Sequence, residues 1–436
     1  MVSYVEKARR GYLDTGTGFP HEIIWGMGLV KAAAAEANYR LGLLPLDKYR
    51  AIKAEALRLA DGEYDGDIDV DVFQTGSGTG LNLNVNEVIA RKAWENHGVK
   101  VHPLDDVNMS QSSNDVVPTA IRLAAVKTGA KTRESLGRLI DTLSRYVEEY
   151  SGLVKPGRTH LRDALPVTLG QELSAYLDAF KHDHRLLGHA LEYVGEVPLG
   201  GTAVGTGVNS PEGYRDLAVD ELAKLSGLQV SPANTFRAMR LLTDIVFLSS
   251  VYRVIALELW RLSQDLRLMF SGPFTGISEI DIRQDIPGSS IMPGKRNPVT
   301  LEAIMQASTQ AAGIDATISN ASMLGEFELS MGIPVTGYNI VVQAKLLSEA
   351  LDKMSDLVLP SIEPRPERMR SLAYRSAALL TVLSPVLGYD RVAAIVKRLQ
   401  EGASLEEALE EAGLEPERVR GLLDVEKLVK PYRIEK

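Results

Sequence analysis

The residues best suited to chemistry lie in four polar islands between apolar segments. The first is Gln74-Thr-Gly-Ser-Gly-Thr-Gly-Leu-Asn-Leu-Asn-Val-Asn-Glu87, and the second is His102-Pro-Leu-Asp-Asp-Val-Asn-Met-Ser-Gln-Ser-Ser-Asn-Asp115. The third is Gly157-Arg-Thr-His-Leu-Arg-Asp163. The fourth is Gly288-Ser-Ser-Ile-Met-Pro-Gly-Lys-Arg-Asn-Pro298, followed by Glu302. Each is expected to precede a helix, whose N-terminus presents free N–H groups and partial positive charge. Hydroxyls, amides and a lysine in such places make a neutral-to-positive pocket that suits a small dianion, such as a dicarboxylate. Taken singly, the same residue types also serve as turns and N-caps.

Other motif matches fail. Gly76-Ser-Gly-Thr-Gly80 follows no clear strand and misplaces the third glycine of a dinucleotide fingerprint. Gly288 to Lys295 is one residue too long for a P-loop, and Arg296 replaces the required hydroxyl. The acidic run Asp61–Asp71 lacks the Gly and Glu of a calcium loop and is expected to be a solvated loop. His182, His184 and His189 are spaced so that only the first and last share a helical face, which marks surface or interface positions. His21 and His97 have no distinctive context, whereas His160 lies in a polar turn.

The elements that must hold these islands read as helices. Ala233–Ser271 contains no Gly or Pro and is apolar on nearly every face, which predicts one long helix buried on several sides. Gln171–Leu187, Val299–Leu324 and Tyr338–Leu359 have the same character. Short alternating strand patterns are scarce, so the centre is expected to be a long-helix bundle shared among identical subunits. The N-terminal part is helical over Gly28–Ala60 with a break near Gly42 and Pro45. Prolines at 360, 364 and 366 mark a boundary, followed by short helices at Glu367–Val382, Asp390–Glu401 and Leu405–Ala412. The sections are 1–111, a mostly helical N-terminal domain; 112–363, the bundle; and 364–436, a small helical domain.

Composition limits the alternatives. The 436 residues carry a net charge of -9 and no cysteine. That excludes disulfides, thiolate metal sites and a cysteine nucleophile, and it argues against nucleic acid or anionic membranes as partners. The charged N-terminus lacks a signal-peptide core, and the longest uncharged stretch, Leu329–Ala344, is too short to span a membrane. A cytoplasmic location is expected.

Together the islands resemble the fumarase/aspartase superfamily, and most closely its class II fumarases. The fourth island is similar to the signature G-S-S-x-M-P-x-K-x-N-P, and the third, extended to Glu172, to the run G-R-T-H-L-x-D-A-x-P-x-T-L-G-Q-E. Leu199–Asn209, Gly325–Leu329 with Tyr338-Asn339, Leu387–Asp390 and the Asp424–Pro431 ending match further family stretches. The resemblance implies an all-α subunit of three domains, a homotetramer with a twenty-helix core, and active sites built from three subunits. The implied reaction is reversible anti elimination of water from L-malate to fumarate, through an aci-carboxylate, without metal or other cofactor.

By the same resemblance Ser289 is the catalytic base, and His160 with Glu302 acts on the leaving hydroxyl. Lys295 and Asn297 contact the carboxylate that gains charge. Ser77, Gly78, Thr79, Asn82, Ser112, Ser113, Asn114, Thr159, Ser290 and Arg296 complete the substrate-binding set. His102 and Asp105 resemble a secondary dicarboxylate site, which Leu104 weakens by replacing an expected Asn. Aspartases usually carry Gln at His160, while Arg296 is a feature of adenylosuccinate lyases. An aspartate ammonia-lyase, an adenylosuccinate lyase and a catalytically silent structural homologue are therefore the alternatives.

Overall fold

A computed structural model describes residues 3–283 and 288–433. Helices dominate, and the strands form four two-stranded sheets among the described residues, so the chain is all-α. It divides into two compact units, each assembled from three stretches of chain. The larger takes Met1–Gly137, His182–Trp260 and Met305–Leu351; the smaller takes Arg138–Lys181, Arg261–Ile304 and Asp352–Lys436. The long helices Ser113–Glu149, Leu169–Val194, Thr243–Phe270, Val299–Ala321 and Ile333–Lys353 contribute residues to both.

In the larger unit, small side chains let helices approach closely. His21–Arg40 is alanine-rich and buried along most of its length. A Cβ at Gly26 would stand 2.6 Å from the Ala120 carbonyl oxygen, and one at Gly28 would stand 2.6 Å from that of Ala56. Glycine is thus required where this helix meets Ser113–Glu149 and Leu46–Ala60. The Gly42 to Pro45 break separates His21–Arg40 from Leu46–Ala60 as the sequence predicts. Arg122 and Asp244, both fully buried, form a two-bond ion pair at 2.7 and 3.1 Å that joins Ser113–Glu149 to Thr243–Phe270.

Ala233–Ser271 is not one helix. It divides into Thr235–Arg240 and Thr243–Phe270, with Leu241 extended between them. The short helix is held separately: Asn234 caps it, and the Thr235 hydroxyl donates to the Gly205 carbonyl at 2.7 Å. The acidic loop is also more structured than expected. Asp71 is buried and accepts from the Thr15, Thr17 and Phe73 main chain, while Asp65 meets His21 at 2.9 Å. His97 likewise has a partner, the buried Glu55, at 2.8 Å.

In the smaller unit the third island precedes no helix directly. It is the turn of an antiparallel hairpin, Val154–Thr159 with Arg162–Thr168, whose register shifts between Pro156 and Arg158. Ile280–Ile282 pairs antiparallel with Ile362–Pro364. Glu367–Val382 is also interrupted: Pro366–Tyr374 ends, and Ser376 accepts from the Ala378 N–H to start a tighter 3-10 turn. The C-terminal helices enclose an apolar cluster that includes Leu379, Leu383, Ile395, Leu409, Val419 and Leu423. Leu405–Glu411 starts on a capping box between Ser404 and Glu407.

Candidate active site

The first two islands converge in the larger unit. Gly78, at φ 77°, turns the chain into the helix Thr79–His97, and the Gln74 side chain accepts from the Leu81 N–H at 2.9 Å. Ser77 and Thr79 pair through their hydroxyls at 2.9 Å. One turn on, the Asn82 amide donates to Ser113 Oγ and to Asn108 Oδ1, each at 3.1 Å. Residues from two islands thus share one hydrogen-bonded cluster.

Asp115 fixes the Ser112-Ser113-Asn114 run. Its buried carboxylate accepts from the Ser112 N–H at 2.9 Å and from the Gly200 and Thr202 N–H groups at 3.0 Å. Asn114 also donates to the Ala203 carbonyl at 2.8 Å. These bonds tie the glycine-rich Leu199–Asn209 stretch to the hydroxyl-rich run. Burial pushes the Asp115 carboxyl up to about 6, although its three main-chain donors oppose the shift.

Beneath this cluster lies Lys31, which was not singled out from sequence. It is 0% exposed, and its ammonium donates to Asn108 Oδ1 at 3.0 Å and Gln111 Oε1 at 2.9 Å. Burial pushes it down to about 7, against the attraction of Asp115. Its available signal was a lone lysine between Val30 and the alanine run 32–35.

The other islands belong to the smaller unit. Thr159 and His160 are exposed at the hairpin turn, where His160 and Leu161 adopt φ values of 54° and 56°. Glu279, another residue the sequence did not flag, anchors the hairpin from below. Fully buried, it meets Arg158 at 2.7 Å and Lys155 at 3.4 Å. Glu302 lies at 4.0 Å from Arg267, and His160 makes no hydrogen bond or ion pair among the described residues. The expected His160–Glu302 pair is therefore not formed within one chain.

The fourth island folds back on itself. Asn297 donates to the Gly288 carbonyl, and a Cβ at Gly288 would stand 2.4 Å from the Asn297 nitrogen. The Ser289 hydroxyl oxygen accepts from the main-chain N–H groups of Ile291 at 3.3 Å and Met292 at 3.0 Å. Two donors directed at one hydroxyl oxygen favour negative charge there. Ser290 and Lys295 are exposed. Arg296 is committed elsewhere: its guanidinium spans both Asp281 oxygens at 3.1 and 2.8 Å, and Arg365 shares that carboxylate at 3.2 Å. Burial raises the Asp281 carboxyl, but the two arginines outweigh it and hold it below its usual range. His102 accepts from the Leu104 and Asp105 N–H groups at 3.3 and 3.0 Å, which makes it the cap of the turn Pro103–Val107.

Comparison with known proteins agrees with this fold. The family model described as Lyase matches residues 7–313, and that described as Fumarase C C-terminus matches residues 379–430. The chain is 52% identical to a class II fumarate hydratase of Saccharolobus solfataricus over 99% of both chains. It is 43% identical to that of Ralstonia nicotianae, over 92% of this chain and 89% of the relative. The crystal structure of recombinant class II fumarase from Schistosoma mansoni aligns with TM-score 0.94 at 30% identity, covering 99% of this chain and 97% of that one. An all-α lyase is the class so defined. Within that class, the chain belongs to the class II fumarate hydratase family.

Proposed function

We propose that this chain catalyses the reversible elimination of water from L-malate to give fumarate. The observation that carries the reading is Ser289, a hydroxyl with two main-chain donors aimed at its oxygen in the loop that also bears Lys295. A serine is far too weak an acid to act as a base unaided. Donors that stabilise the alkoxide address that difficulty. Ser289 takes the proton from the carbon beside one carboxylate, so that the C–H bond breaks and an O–H bond forms. Lys295 and Asn297 stabilise the aci-carboxylate, and the hydroxyls and amides of Ser77, Thr79, Asn82, Ser112, Ser113, Asn114 and Thr159 hold the dianion. The C–O bond then breaks, and His160 supplies the proton that turns the departing hydroxide into water. Gly78 and Ser290 offer main-chain approach. Arg296, bound by Asp281, holds the loop rather than the substrate.

The assembly we propose is a homotetramer in which Glu302 of a second copy faces His160, with each site shared among three copies. Members of the family act on a small dicarboxylate and are typically oligomeric. Two facts support sharing here. His160 lacks a partner among the described residues of its own chain. In addition, Thr243–Phe270 leaves Phe247, Val254, Leu257 and Trp260 more than a third exposed on a single chain. No helix among the described residues is long and apolar enough to cross a membrane. We place the enzyme in the cytoplasm and its chemistry without a metal.

Ultraviolet absorbance of purified protein with L-malate, in chelator-treated buffer, tests the activity. A rise at the fumarate band is expected, from a particle with the mass of four chains. No rise, with turnover of L-aspartate instead, would overturn the substrate assignment.

A further inference from the structure

We propose that Lys31 is a positioning residue whose ammonium, acting through Asn108 and Asn82, turns the Ser113 hydroxyl into a donor for a substrate carboxylate. The argument follows hydrogen-bond polarity. A charged lysine carries donors alone, so the atoms it meets must be acceptors. That sets the Asn108 amide with its oxygen toward Lys31 Nζ at 3.0 Å, while its nitrogen donates to the Gln111 carbonyl at 3.2 Å. The same oxygen then receives the Asn82 amide nitrogen at 3.1 Å and the Asn86 amide nitrogen at 3.3 Å. With its nitrogen so placed, Asn82 also donates to Ser113 Oγ at 3.1 Å. Ser113 has now accepted, and its own hydrogen is left to donate outward.

The orientation is imposed rather than chosen by Asn82. Asn82 is 2% exposed, and its amide oxygen has no hydrogen-bond partner among the described residues. A flipped amide would satisfy that oxygen with the Ser113 hydroxyl. It would also set that oxygen against the Asn108 oxygen, which donates nothing, and consume the hydrogen a carboxylate needs. Lys31, together with the Gln111 carbonyl that takes the Asn108 nitrogen, opposes the flip two bonds away. A neutral amine would still carry two hydrogens for its two acceptors, Asn108 and Gln111, so the polarity holds although burial lowers the Lys31 pKa to about 7. The inference rests on the fumarate hydratase reading for the identity of the anion.

Lys31→Met, Lys31→Arg and Asn108→Leu test it with two readouts. One is KM and kcat for L-malate. The other is the Kd for fumarate by titration calorimetry, which needs no turnover. Lys31→Met is expected to raise KM and Kd by about tenfold to a hundredfold, with kcat within about threefold. Lys31→Arg, which also carries donors alone, should recover most of that loss, whereas a merely space-filling role would be served as well by Met. Unchanged KM and Kd in the Met variant, or an Arg variant no better than Met, overturns the proposal. Should the Lys31 variants fail to fold, Asn108→Leu carries the test, and an unchanged Kd there overturns it. Unsubstituted protein that binds fumarate without turning over L-malate would overturn the functional reading instead, and the Kd comparison would still decide the relay.

Discussion

His160, the proton donor proposed above, takes little support from its own chain. It stands exposed on a turn, and Glu302 meets Arg267 rather than the imidazole. Replacing it with asparagine removes the proposed proton donor but little packing. His160→Asn is therefore expected to lower kcat by about 10²–10⁴, with the melting temperature nearly unchanged. Stopped-flow or steady-state rates with L-malate would check this, and near-normal turnover would remove His160 from the mechanism. Arg296 teaches the converse. Its sequence position invites a substrate role, yet its Nη2 donates to both oxygens of Asp281. Asp281 precedes it by 15 residues and lies outside every polar island, so no motif connects the two.

Among the elements, the hairpin that carries His160 is the most informative. Two successive residues, His160 and Leu161, hold left-handed backbone at the turn. Leu161 is 71% exposed, so it gains little from burial in exchange for that conformation. Leu161→Gly should stabilise the protein by about 1 kcal/mol, since glycine adopts this conformation without a Cβ clash. Denaturant unfolding would measure it, and a loss of stability would mean that the leucine side chain has a packing role in the assembled enzyme. The turn signal was present in the sequence, but its meaning was not. Gly157 to Asp163 reads as a loop before a helix, whereas strand pairing across the turn depends on partners that only folding brings together. The break at Leu241 is of the same kind, because Ala233–Ser271 contains no helix-breaking residue.

For the molecule as a whole, buried acids set the pH response. Glu258 faces Asp183; burial and that neighbour push Glu258 up to about 8, and His182 opposes the shift. Burial raises Asp183 as well. An acid whose folded pKa is raised contributes stability fully below its unfolded value near 4.5, and that contribution is lost as pH rises through about 8. Lys31, lowered to about 7, has the opposite slope and regains stability from pH 7 upward. The difference between proteins isolates the pair: the fall in melting temperature between pH 6 and 9 should be smaller in Glu258→Gln than in the unsubstituted protein. Equal slopes would mean that the carboxyl is ionised throughout, as it would be beside a cation from a neighbouring copy.

Local chemistry was legible in the chain because it is written in contiguous residues. The run Gly288 to Pro298 contains its own closure, with Gly288 small enough for Asn297 to approach and Ser289 three residues from a donor at Met292. The all-α class was equally legible, since helical periodicity is a property of neighbours along the chain. What folding added are the long-range polar partners. Lys31 beneath Asn108, Glu279 beneath the hairpin and Asp281 behind the loop are each separated from their partners by dozens of residues or lie outside any motif, with the exception of the nearer Arg296. Desolvation makes those partners obligatory: a charge taken out of water must find donors or acceptors wherever the tertiary packing supplies them.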